Sequence, residues 1–162
     1  MLAELDFKHI LYATDLGRHT RPVFRQAVRL AQKFNANIIM LHVVEPLGRT
    51  GASILSVYLP DSDLERVEHE GMRKTVEQMR QRLERFCEEE MEAHNLDSLH
   101  VSDIVVTSGR VDEQILKQAE KHQADLILLG SCYRRQGLHG DSTHRLTQHA
   151  KVPVLIVPNC SD

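Results

Sequence analysis

The residues with the clearest chemical potential lie between Gly130 and Thr143, in "GSCYRRQGLHGDST". The segment follows the apolar run "DLILLG" and precedes a helix-like stretch, "STHRLTQHA". Three glycines, Arg134, Arg135, Ser142 and Thr143 in a strand-to-helix connection have the makings of a phosphate cradle. Glycine lets consecutive backbone N–H groups turn inward, and the start of a helix presents free N–H groups and a positive dipole end. Tyr133 and Asp141 work against that reading. A ring stiffens the turn. At about 4 Å and an effective dielectric near 20, a carboxylate beside each phosphate charge costs on the order of 4 kcal/mol.

A loop of this kind needs a scaffold, and the apolar pattern supplies one. Strand-length runs occur at 9–14 (HILYAT), 37–44 (NIIMLHVV), 101–107 (VSDIVVT), 125–129 (DLILL) and 152–158 (VPVLIVP). Their nearly continuous Val, Ile and Leu content signals strands buried on both faces, as in a parallel sheet covered by helices. Residues 19–35 place Val23, Phe24, Ala27, Val28, Leu30, Ala31 and Phe34 on one helical face. Residues 61–94, capped by Asp61 or Ser62, carry a stripe including Val76, Met79, Leu83 and Phe86, and their Glu and Arg residues read as a solvated, salt-bridged face. A shorter helix spans 111–122. The result is β-α-β-α-β-α-β-α-β, a doubly wound α/β sheet in a single domain over residues 1–162. Residues 45–60, with Gly48, Gly51 and two prolines, read as a long irregular and mobile connection.

In such a sheet ligands sit beyond the carboxyl ends of the strands, where strand order reverses. The chain delivers Thr14 and Asp15, Val43 and Val44, Thr107 to Arg110, and Gly130 to that edge. Asp15 suits either a turn or helix cap or an acceptor for a ligand's amine or ribose. Other constellations are thin. His139, His144 and His149 lack metal-ligand spacing, so no metal is expected, and His42 reads as a satisfied core histidine. Cys132 lies near two arginines, but Cys87, Cys132 and Cys160 fit reduced thiols better than a disulfide framework. No nucleophile elbow accompanies Ser131, Ser142 or Thr143, so the chain is not expected to be an enzyme.

Composition narrows the partners. A formal charge of −3 gives no electrostatic drive toward nucleic acid. No apolar run is long enough to span a membrane, and the N-terminus lacks a signal-peptide layout, so a cytoplasmic location is expected.

The stretches "KHILYATDLG", "IIMLHVVEP", "SGRVDEQILKQAEKHQADLILLGS" and "THRLTQHAKVPVLIVP" together resemble the universal stress protein family along essentially the whole chain. The resemblance implies a five-stranded parallel sheet of order 3-2-1-4-5 and a homodimer formed through the edge strand 152–157. It also implies a role in stress response through unidentified protein partners. Some members of that family bind ATP through an aspartate after the first strand, a valine after the second and a loop G-x2-G-x9-G-(S/T). Others, the A-type members, lack the loop and the ATP. Carried over residue by residue, Asp15, Val43 and Gly130 match, and Gly140 takes the place of the last glycine. Tyr133 replaces the second glycine, Asp141 replaces the phosphate-binding hydroxyl, and the span from Gly130 to Gly140 is three residues short. The resemblance therefore implies an A-type-like member with no cofactor expected. What remains is a vestigial or weak nucleotide or anion site at Asp15, Val43, Gly130, Gly140, Ser142 and Thr143, with Arg134 and Arg135. An ATP-binding switch and a slow nucleotide hydrolase are the alternatives.

Overall fold

A computed structural model describes residues 6–17, 20–46, 48–96, 98–131 and 138–158. Its elements run β1 (His9–Ala13), α1 (Thr20–Phe34), β2 (Asn37–Val44), α2 (Arg49–Tyr58), α3 (Asp61–His94), β3 (Val101–Ser108), α4 (Val111–Lys121), β4 (Leu126–Ser131), α5 (Leu138–His149) and β5 (Val154–Pro158). The strands form one parallel sheet in the order β3-β2-β1-β4-β5, as the family resemblance implies.

Alternation along the strands divides the core. Ile10, Tyr12, Ile38, Met40 and Leu128 face α1 and α3, where they meet Phe24, Ala27 and Leu83. Leu11, Ile39, Leu41, Ile127 and Leu129 point the other way, against Ile115 and Ala119 of α4 and Leu146 of α5. The period-2 geometry of a strand produces this division, and continuous apolar runs satisfy both faces at once. At the amino edge the Asp125 carboxylate accepts from the backbone N–H groups of Lys8 and His9, at 2.8 and 2.9 Å, and so fixes the register of β4 against β1.

Residues 45–60 depart from expectation. They hold a ten-residue helix, α2, rather than an irregular loop. The glycines and prolines that suggested a break punctuate its boundaries instead. Gly48 sits extended just before the helix and accepts from the Ala52 N–H at 3.1 Å, Gly51 falls in the first turn, and Pro46 and Pro60 lie outside. The stretch from Ala52 to Tyr58 contains no breaker. The helix leaves Ile54, Val57 and Tyr58 exposed along one stripe. Pro60 takes the position before α3, so Asp61 and Ser62 lie inside that helix and do not cap it.

The polar face expected for α3 is also not uniformly solvated. Glu90 is 1% exposed. It stands seven residues after Leu83 and four after Phe86, so it shares the helix face that meets the core. Arg21 donates to one of its oxygens, and Arg25 Nε approaches the other at 3.2 Å. His94 lies 3.7 Å away on the same helix. Arg21 also bonds Glu89 at 2.8 Å and lies 5.2 Å from the centre of the Phe86 ring. Burial would raise the Glu90 carboxyl, but hydrogen bonds and charge from Arg25 and Arg21 outweigh it and hold the group below its ordinary range. Nearby, the Cys87 thiol contacts the Met40 sulfur at 3.3 Å, and burial followed by the surrounding glutamates pushes it up to about 11.

Glu90→Gln should therefore destabilise the fold by about 2 kcal/mol at neutral pH, a value restrained because both arginines remain half in water. A carboxyl whose pKa is lowered on folding stabilises above its unfolded value, about 4.3, and loses that contribution as the pH falls through the folded value. Denaturant titrations should show the gap between wild type and variant closing below about pH 4. A gap that is constant with pH would assign Glu90 a packing role only.

Candidate functional site

Register places the expected residues on one edge. Ala13 pairs with Leu41 on one side and Leu129 on the other. Asp15 and Val43 therefore lie two positions beyond that level and Gly130 one, at the carboxyl ends of three adjacent strands. Strand order reverses between β1 and β4, so Asp15 and Gly130 flank the switch point where an open α/β sheet admits a ligand.

The turn after β1 is held by its own side chains. Thr14 is buried, its N–H donates to the Leu41 carbonyl at 2.9 Å, and its hydroxyl oxygen accepts from the Leu16 N–H at 3.1 Å. Leu16 takes a left-handed φ of 56°. Asp15 is exposed, and its Oδ1 accepts from the Gly17 N–H at 2.9 Å, which is the turn-capping role. A β-carbon on Gly17 would lie 3.1 Å from that oxygen. Thr20 closes the turn by donating its hydroxyl to the Gly17 carbonyl at 2.8 Å. His42 is half-buried, and its Nδ1–H donates to the Thr14 carbonyl at 2.7 Å. It is the satisfied structural histidine expected, and it braces β2 against the end of β1.

At β4 the chain continues to Ser131 and re-enters described structure at Leu138. Gly140 and Asp141 both lie within the first turn of α5, so the helix starts before Gly140 rather than after it. Ser142 is buried and Thr143 half-buried, each with an interaction partner. Cys132, Tyr133, Arg134 and Arg135 lie outside the described residues. Among the described residues no group of His, Cys, Asp or Glu side chains could hold a metal ion. His149 donates its Nδ1–H to the Arg145 carbonyl at 2.9 Å.

Sequence reasoning missed a charged knot beside this edge. Asp112, in the first turn of α4, is 5% exposed. Its Oδ2 accepts from Arg110 Nη2 at 2.8 Å and from Arg145 Nε of α5 at 3.3 Å. Burial would raise its carboxyl, but the Arg110 hydrogen bond and the charges of Arg110 and Arg145 hold it below the ordinary range. Asp112 thus fixes α5 against α4 and sets two guanidiniums near the carboxyl edge. The turn feeding it depends on Gly109, whose φ of 139° is open to glycine and whose added β-carbon would meet Gln114 at 2.9 Å. Thr107, paired in register with Val43, keeps a buried hydroxyl oxygen with no hydrogen-bond partner among the described residues. The signal available in sequence was "GRVDE", an acidic first turn after a strand-ending glycine. The partner thirty-three residues away was not legible.

Comparison with known proteins gives one consistent result. The universal stress protein family model matches residues 6–158. Universal stress protein MJ0577 of Methanocaldococcus jannaschii is 28% identical over 93% of this chain and 94% of its own. Universal stress protein A of Photorhabdus laumondii is 24% identical over 94% and 95%. The solved structure of MJ0577 superposes with a TM-score of 0.69 at 21% identity, covering 96% of this chain and 98% of that one. A universal stress protein of Archaeoglobus fulgidus, solved in complex with dAMP, gives a TM-score of 0.53 at 16% identity over 93% and 97%.

If Asp112 is the tether of α5, Asp112→Asn should leave the sheet intact and loosen that helix. Amide hydrogen exchange should accelerate in the described part of α5, above all from Ser142 to Leu146, while β1 and β4 keep their protection. Unchanged exchange in α5 would show that apolar packing of Leu146 alone holds it.

Proposed function

The chain belongs to the universal stress protein family, and on that premise we propose a homodimeric regulatory or protective module that acts through protein contacts and binds ATP weakly or not at all. The observation that carries this reading is the connection after β4. Only residues 132–137 separate Ser131 from the start of α5, and Gly140 is taken up in the helix. That supports a loop too short to wrap a triphosphate. Tyr133 replaces a glycine and Asp141 replaces a hydroxyl within the same stretch. On the adenine side, one oxygen of the Asp15 carboxylate, Oδ1, is engaged in its own turn through Gly17. The helix start near Gly140, with Ser142 and Thr143 following, remains suited to an isolated anion.

A second reading, a nucleotide-binding switch of the same family, draws on the family likeness to the Archaeoglobus protein solved with dAMP. Asp15, Val43 and Gly130 retain the strand-end positions such a ligand would use. Isothermal titration separates the two. Millimolar ATP should give little heat with the unaltered protein, and Asp141→Ser should improve binding only slightly, because loop length and Tyr133 are unchanged. Tight ATP binding by the unaltered protein would put the switch reading first.

The proposed dimer rests on the contrast between the sheet's two edges. β3 carries Ser102 and Asp103, both exposed, and α3 packs along it. Among the described residues β5 pairs only with β4, and it is apolar along "VLIV", with Leu155 39% exposed. An unprotected apolar edge invites a second strand, and a two-fold copy of itself satisfies both rows of backbone groups. Sedimentation should find a dimer at micromolar concentration, and Leu155→Asp should yield monomer or insoluble protein. A wild-type monomer at that concentration removes the dimer from the reading.

A further inference from the structure

We propose a second binding site, beside the carboxyl-edge site, in the cavity between the start of α1 and the second half of α3, for a small ligand carrying a phosphate monoester on an apolar body. The cavity holds about 290 Å³ and is lined by Leu16, Arg21, Arg82, Arg85, Phe86 and Glu89, with Gly17 and Thr20 at its α1 end. It lies on the α1 and α3 side of the sheet. It borders the turn after β1 through Leu16 and Gly17, but Asp15, Val43, Gly130 and Ser142 do not line it.

Its charges are unbalanced in a way that the fold does not require. Arg21 is occupied by Glu89 and Glu90 and so neutralises the one carboxylate in the lining. Arg82 and Arg85 are different. Both are exposed, and among the described residues neither makes an ion pair; Arg82 reaches only the Met79 sulfur, at 3.6 Å. They stand three residues apart on one helix, where like charges repel. Glu88 and Glu89 lie three and four residues beyond Arg85, close enough on a helix to pair with it, yet they do not. Two guanidiniums that line one cavity, with no ion-pair partner among the described residues, suit a phosphate dianion, which planar donors can bind through paired N–H groups. Leu16 and Phe86, both packed against the core, provide the apolar wall for the rest of the ligand.

Phenyl phosphate is the probe, titrated into the intact protein and followed through backbone amide shifts. Saturable shifts are expected at Gly17, Arg21 and residues 82–86, and they should weaken as salt is added. Arg82→Gln with Arg85→Gln should reduce affinity at least about tenfold, the loss expected from removing charge-assisted hydrogen bonds. Both side chains are exposed, so the double variant should keep the wild-type amide spectrum elsewhere. Inorganic phosphate should shift the same amides at higher concentration, and phenol alone should not. Three results would overturn the proposal: no saturable shifts, shifts centred on Val43, Gly130 and Ser142 instead, or unchanged affinity in the double variant. Shifts at Val43, Gly130 and Ser142 report on the carboxyl edge and those at residues 82–86 on this cavity, so failure of this proposal and failure of the ATP reading are distinguishable.

Discussion

Everything in this molecule is arranged around β1. The strand is hydrogen-bonded along both edges, to β2 and to β4, and Ile10, Leu11 and Tyr12 are buried to 1% exposure or less. A strand in that position has no freedom to slip, because a one-residue shift would exchange the side chains of both faces together. The turn that follows it inherits this rigidity. Thr14 is held by the Leu41 carbonyl below it and by His42 beside it, so Asp15 leaves the sheet at a fixed point. The candidate site owes its position to that constraint more than to any contact of its own.

Two charged knots secure the helical layers on either side. Glu90 joins α3 to α1 through Arg21 and Arg25, and Asp112 joins α4 to α5 through Arg145. Each is a buried carboxylate between two partly exposed arginines. Such an arrangement adds little net stability over an apolar pair of the same shape, but it is specific about geometry, since a misdocked helix strands a buried charge. Apolar faces would tolerate sliding, whereas these carboxylates fix each helix pair in one register.

The sheet was legible because its strands are short, continuously apolar and closed off by Gly, Asp or Pro, and α1 because Val23, Phe24, Ala27 and Ala31 repeat at helical spacing. Three features were hidden for physical reasons. α2 carries a short apolar stripe at Ile54, Val57 and Tyr58, but Gly48 and Gly51 suggest a break where they mark a start. Glu90 sits among many other glutamates in α3, and only its phase relative to Leu83 and Phe86 sets it apart. Asp112 and Arg145 meet only through tertiary packing, which no local pattern records. The site residues were read first from loop chemistry and strand ends, and the family resemblance then matched them to a motif. Of these, Asp15, Val43 and Gly130 lie where strand register brings them together, while Arg134 and Arg135 fall outside the described residues.

The Cys87 thiol has a bearing on chemical endurance. Oxidants such as peroxides attack the thiolate, and at neutral pH a thiol with a pKa of about 11 is ionised in only about one molecule in ten thousand. Its immediate neighbour is the thioether of Met40, which is fully enclosed by the core. These two sulfur atoms are therefore slow targets. Packing around that pair would hold through an oxidative episode that had already modified more accessible sulfur.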